Sequence, residues 1–178
     1  MPHESVKVNV IIDDKIFKNF SMFESFHRRR AYLSPLIFAA IMSASAITCL
    51  LMDAILLGAV LLIIGLGLPS FRVSKIFRAI NEQIRILDLK NPKTVYSLHF
   101  TDTAEGIEVT NHGEGEEPLR YKWKEIYGAY RVKKCVYLYV LPEKAYILPD
   151  GQSEEGPEAL LRIFRKKLPS KKLHGRFT

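Results

Sequence analysis

Between Ala31 and Phe71 the chain runs for 41 residues with a single charged side chain, Asp53. As one helix this tract would be about 60 Å long, at about 1.5 Å per residue. A bilayer's hydrocarbon core is about 30 Å thick and takes about 20 residues, and tilt absorbs only part of the excess. A single span would leave roughly half of the tract in water, at the full cost of exposed apolar surface. Two spans, Tyr32–Leu51 and Ala54–Phe71, use up the tract with almost nothing left over. Asp53 then sits at an interface, where its carboxylate stays hydrated. At the bilayer centre it would cost about 2.5–3.5 kcal/mol. The tract therefore predicts a transmembrane α-hairpin.

The flanking charges give an independent argument. Arg28, Arg29 and Arg30 precede the tract, and Arg72, Lys75 and Arg78 follow it. Lys and Arg gather on the cytoplasmic side of short loops, so basic flanks at both ends imply an even number of spans with both termini cytoplasmic. About thirty residues precede the tract with no small-residue cleavage pattern, unlike a signal peptide. The stretch "LLMDA" contains no Gly, Pro or Asn, so the turn lacks the usual breaker residues. Asp53 has an alternative use as a proton or ion relay, in which case the protein would be a small transporter subunit or membrane enzyme, but neither span supplies an ionisable partner. Ala39, Ala40, Ser43, Ala44, Ser45 and Ala46 face Gly58, Ala59, Gly65 and Gly67 in such a hairpin and would let the helices approach closely.

Four segments follow from this division: 1–30, 31–71, 72–92 and 93–178. In the first, Val6, Val8, Val10 and Ile12 alternate with polar residues, the period of a half-buried strand. "DDKIFKNFSMFESFHRRR" then spaces Ile16, Phe20, Phe23 and His27 as an amphipathic helix, acidic at its start and basic at its end. It packs on the soluble domain or, alternatively, lies on the headgroups. The sequon at Asn19 is useless on a cytoplasmic helix. Residues 72–92 read as a polar helix with Ile76, Ile80, Ile84 and Leu87 on one stripe, stopped by Asn91–Pro92. From Lys93 the period changes to two, giving six strands: "TVYSLHFT", "GIEVTN", "LRYKWKEI", "YGAYRV", "CVYLYV" and "AYILP". Short turns at "DTAE", Lys133–Lys134 and Pro142–Glu143 and the loop "HGEGEEP" join them. A final helix places Leu160, Leu161, Phe164 and Leu168 on one side and Arg162, Arg165 and Lys166 on the other. A meander of this kind builds a small barrel or sandwich, plugged by the helix.

The net charge of +7 invites a nucleic-acid reading. The distribution opposes it, because the basic residues flank the apolar tract or sit in the tail, while residues 102–117 hold six acids and no Lys or Arg. Cys49 and Cys135 have no CxxC or CxxH neighbours and read as buried thiols. None of the five histidines has zinc-motif spacing, and no phosphate loop or nucleophile elbow is present. Glu114, Glu116 and Glu117 could attract a divalent cation, but a solvated loop explains them. No cofactor, metal or catalytic residue is expected.

The "FTDTAEGIEVTN" hairpin, "YKWKEIYGAYRVKKCVYLYV" with Trp123 near its start, "AYILP" and the acidic lead into the last helix together resemble the YcxB-like bacterial membrane proteins. That resemblance implies a cytosolic pleckstrin-homology-like domain of seven strands in two sheets, capped by one helix, in the bacterial plasma membrane. Six strands follow the tract, so Val6–Ile12 is expected to return and complete the sheet. The fold class expected is thus an α+β membrane protein: a transmembrane α-hairpin plus a cytosolic PH-like barrel or sandwich. The function expected is a non-enzymatic interaction or regulatory module with a protein partner. The alternative is recognition of anionic lipid by Arg28, Arg29, Arg30, Arg72, Lys75, Arg78, Arg162, Arg165, Lys166 and Lys167. Trp123 is either a recognition platform or a core anchor.

Overall fold

The computed structural model describes residues 5–91, 94–102, 106–112 and 117–177. In chain order the main elements are β1 (Ser5–Ile11), α1 (Asp14–Met22), α2 (Leu33–Leu51), α3 (Ile55–Ile86), β2 (Thr94–Thr101), β3 (Ile107–Asn111), β4 (Leu119–Tyr121), β5 (Gly128–Val132), β6 (Cys135–Leu141), β7 (Lys144–Pro149), α4 (Pro157–Lys167) and β8 (Leu173–His174). They form two compact units. Met1–Ile16 with Leu89–Thr178 is a sheet unit, and Phe17–Asp88 is a helical unit.

In the helical unit α2 and α3 form an antiparallel hairpin, both long and apolar enough to cross a membrane. The boundaries fall within one residue of those expected at Tyr32–Leu51 and Ala54, but α3 does not break at Phe71. It runs on to Ile86 as one helix. Its end is set by Asp88, in the left-handed region at φ 49°, not by Asn91–Pro92 (Pro92 is outside the described residues). The turn of the hairpin is equally specific. The Ala54 amide donates to the Cys49 carbonyl at 2.9 Å and the Asp53 amide to that of Leu50 at 3.3 Å, with Asp53 at φ 59°. This is the Schellman closure, in which the residue after the cap turns left-handed. Asp tolerates that conformation better than most side chains because its short polar group bonds locally. The breaker missing from "LLMDA" is therefore Asp53 itself.

Large and small side chains are inverted relative to a water-soluble hairpin. Pro35, Ala46, Gly58 and Gly65 are the buried residues of the α2–α3 pair at this level, while Leu51 and Leu56 are each 82% exposed and Ile63 is 72% exposed. A Cβ added at Gly65 would lie 2.7 Å from Met42 Cβ, and one at Gly58 2.9 Å from Leu50 Cγ; at Gly67 it would meet nothing. Gly58 and Gly65 thus set the closest approach, as in membrane-type packing. Before the hairpin, α1 gives way at Phe23 to a π-helical turn, Phe23–Arg28, in which the Arg29 amide reaches back to the Glu24 carbonyl. The expected single amphipathic helix is therefore two. Its aromatic face is placed by Phe26, 6.1 Å from Phe77 of α3.

The sheet unit has two four-stranded sheets, β1-β2-β3-β4 and β7-β6-β5-β8, with no closed barrel. β1 pairs with β2 antiparallel from Ser5↔Thr101 to Ile11↔Thr94, so the N-terminal segment does complete the sheet, across a helical insertion. Alternation works as expected here: Val6, Val8 and Val10 are buried with Leu98, Phe100, Ile107 and Val109. β6 is buried on both faces, Val136, Leu138 and Val140 on one and Tyr137 and Tyr139 on the other. The expected strand "LRYKWKEI" is only β4, three residues long, followed by a 3-10 turn, Trp123–Glu125. Among the described residues seven strands rather than six follow the hairpin, because β8 adds a parallel pairing to Ala129 and Tyr130.

Candidate functional site

One apolar cluster of the sheet unit is built around Trp123. Its indole is 6% exposed and its Nε1 donates to the Thr101 carbonyl at 3.0 Å. Phe100 and Phe164 lie 6.1 Å and 6.0 Å from it, and Phe177 flanks Phe164. Gly106, at φ 72°, is what lets the chain pass: a Cβ there would stand 2.9 Å from Trp123 Cδ1 and from the Tyr121 carbonyl oxygen. α4 supplies Leu160, Leu161, Ile163 and Phe164 to this core, as its apolar stripe predicts. Trp123 is thus buried, and it packs as a core side chain of this unit.

Three basic residues of the tail are committed to the unit itself. Lys166 Nζ donates to Asp102 Oδ2 at 2.5 Å, and Lys167 Nζ pairs with the same carboxylate and reaches the Asp102 carbonyl at 2.7 Å. The hydrogen bonds from Lys166 and then Lys167 hold the Asp102 carboxyl down at about 2. Lys172 Nζ caps the carbonyls of Lys124 and Ile126, at 3.0 Å and 2.5 Å. Arg162, Arg165, Lys171 and Arg176 stay exposed. The basic set on the helical unit divides similarly. Arg28 and Arg29 both bond Glu24 at 2.9 Å. Arg30, at φ 49°, forms the corner into α2, Lys75 lies 5.1 Å over the Phe71 ring, and Arg72 and Arg78 are exposed.

Two features escape a reading by pattern. The segment after β7, the acidic lead into the last helix, straps the outer edge of β1. Gln152 exchanges two hydrogen bonds with the Ile11 backbone (2.8 Å and 2.9 Å), Glu154 takes one from Asn9 Nδ2 at 2.9 Å, and Glu155 takes the Lys7 amide at 3.0 Å. An edge strand left bare is a template for unwanted pairing, and this strap closes it. Second, β5 carries aromatic residues to the surface. Tyr127, at its head, is 50% exposed. Tyr130 stacks on the exposed ring of His174 at 4.4 Å, with 20° between planes. The sequence signal was present in "YGAYRV", where Tyr130 falls out of phase with the buried Ala129.

Cys135 is half-buried, and that burial pushes its thiol up from the usual range; Cys49 sits in the hairpin. Among the described residues no three His, Cys, Asp or Glu side chains converge as metal ligands. Glu114 and Glu116 of the acidic loop and the turn residues 103–105 lie outside the described residues.

No curated protein and no solved structure matches the chain. Residues 103–164, from the β2–β3 turn to Phe164 in α4, match the family described as YcxB-like protein, the same family that the Trp123 region resembles in sequence.

Proposed function

We propose that this protein is a non-enzymatic interaction or regulatory module, tethered to the bacterial plasma membrane by its two-span hairpin with both termini cytoplasmic. Its sheet unit serves as a pleckstrin-homology-like domain that recognises a protein partner. The tethering rests on one observation above all. β1 lies before the hairpin and β2 after it, yet they pair along their whole length. Both ends of the hairpin must return to one folded unit, which an even number of crossings satisfies and a single crossing cannot. The outward apolar side chains and glycine seam of α2 and α3 support insertion. The Arg28–Arg30 and Arg72–Arg78 flanks support a cytoplasmic location.

Support for a protein partner comes from β5. Tyr127 at its head is half-exposed, and Tyr130 stacks on exposed His174 of β8; exposed tyrosines are of the kind that anchor interfaces. Recognition of anionic lipid by the C-terminal basic residues has less support, since Lys166, Lys167 and Lys172 are engaged within the unit. An essential role for Asp53 has less support too, since the turn geometry accounts for that residue.

A photo-crosslinking phenylalanine derivative installed at Tyr127 in native membranes tests the reading. It should yield a discrete protein adduct, and the same group at buried Val109 should not. Adducts to lipid alone at Tyr127 would count against the module's recognising a protein.

A further inference from the structure

The seam between α2 and α3 is tight at Gly58 and at Gly65. One turn beyond Gly65 it opens. There a notch of about 170 Å³ is lined by Ser34, Pro35 and Phe38 of α2 and by Leu68, Pro69 and Arg72 of α3. Pro69 lies inside α3 here, and its ring lacks the N–H of a regular turn and crowds the preceding one. Of its lining residues only Arg72 and Ser34 carry polar side chains. Its remaining lining is two proline rings, a phenyl ring and a leucine.

From this lining we infer that the notch seats the head end of one anionic phospholipid, its phosphate on Arg72 and Ser34 and the start of its acyl chains on Phe38 and Leu68. The inference rests on the membrane reading above. Its size favours part of a ligand rather than a whole one, because pockets for complete small molecules run to about 300–1,000 Å³. The rest of a lipid has a path away from it, since Phe38 and Leu68 are partly exposed (37% and 54%) and adjoin Ile41, which is 60% exposed. The level is also right. Arg72 lies 19 residues from Asp53 at the turn, which along a helix is about 28 Å. If Asp53 marks one interface of a hydrocarbon core about 30 Å thick, Arg72 marks the other. A guanidinium offers a planar donor fork that matches phosphate oxygens in pairs. Free phosphate would have no use for the apolar floor.

The test uses the full chain in nanodiscs of equimolar phosphatidylglycerol and phosphatidylcholine, with retained lipid counted by native mass spectrometry after partial delipidation. The wild-type chain should keep one phosphatidylglycerol in preference to phosphatidylcholine. Arg72→Gln should lower that preference by roughly fivefold, the worth of one basic residue at an anionic surface. Arg72→Lys should keep most of it, and Arg78→Gln should leave it unchanged. Equal retention of the two lipids by the wild type, an unchanged preference in Arg72→Gln, or displacement of the lipid by inorganic phosphate would each overturn the inference. Carbonate extraction of the same membranes separates the two levels. A chain that stays in the pellet while lipid selectivity fails sinks the inference alone, and one released to the supernatant sinks the membrane reading.

Discussion

Replacing Tyr96 by Phe should weaken the sheet unit through one buried hydroxyl. Tyr96 is 7% exposed on β2, and its ring packs edge-on against Tyr146 at 5.2 Å, a contact Phe preserves. Its hydroxyl donates to the Ile147 carbonyl at 3.1 Å and accepts from the Ile147 amide at 2.7 Å. Ile147 stands opposite Tyr137 in the β6–β7 ladder. In antiparallel pairs, alternate residues turn both backbone groups away from the partner strand, and those of Ile147 find Tyr96 on the other sheet. Deleting the hydroxyl removes two hydrogen bonds and strands a buried amide and carbonyl. Two net bonds plus the orphaned amide come to about 2–4 kcal/mol, against a total of about 5–15 kcal/mol for a domain. Thermal unfolding of the full chain, followed by near-ultraviolet circular dichroism in detergent, should show a midpoint lower by roughly 8–16 °C. Hydrogen exchange should show the Ile147 amide losing protection. Tyr127→Phe, on the exposed tyrosine, should stay within about 0.5 kcal/mol of wild type. A Tyr96→Phe chain no less stable than that control would refute the idea that this hydroxyl joins the sheets.

The Asp102 carboxyl titrates lower when folded, at about 2, than when unfolded, so its stabilisation is complete above about pH 4 and lost as pH falls towards 2; Asp102→Asn should flatten that part of an acid-unfolding curve and leave neutral pH little more sensitive. Burial raises the Tyr96 hydroxyl above its usual range and the Tyr137 hydroxyl to about 12. In consequence stability should fall as pH rises above about 10, where the unfolded tyrosines begin to ionise, and alkaline titration that left the fold intact well beyond that range would be contrary. At the hairpin tip, Asp53→Asn or Asp53→Gly should leave membrane insertion and thermal stability unchanged, whereas Asp53→Val, forced into left-handed backbone, should cost about 1–2 kcal/mol; loss of biological function in the Asn variant with insertion intact would revive a chemical role for the carboxylate. Gly67→Ala should raise the helical melting midpoint through the propensity of alanine, about 1 kcal/mol, while Gly65→Ala, which brings a Cβ to 2.7 Å from that of Met42, should lower it.

The parts of the fold that sequence reveals are those governed by periodicity. The span boundaries at Leu51 and Ala54 follow from apolar length, the buried face of β1 from alternation, and the α4 stripe from helical spacing. Where local chemistry competes with period, the reading slips. Tyr121 and Trp123 alternate like strand residues, but Trp123 leaves the ladder to fill the core, and a 3-10 turn results. Phe23 continues a helical stripe with no mark of the π turn it opens. Asp53 and Asp88 each terminate a helix by left-handed backbone, a job for which glycine is the familiar signature. The basic residues are legible as charge but not as geometry. Nothing in the spacing says that Lys166 and Lys167 share Asp102 while Arg165 does not. The strap from Gln152 to Glu155 is beyond sequence reasoning for another cause, since its partners on β1 lie more than 140 positions away.

Because β1 is made first and its partner β2 follows the whole helical insertion, the sheet cannot close while the ribosome is still producing the hairpin. The N-terminal strand must wait, unpaired, for more than eighty residues of synthesis, at about 5–20 residues per second. On the proposed two-span topology, folding of the sheet is thereby conditional on how the hairpin inserts. A chain that crossed only once would strand its first strand on the wrong side of the bilayer, with its valines exposed and its edge open. On that proposal the interrupted sheet would serve as a check on membrane topology.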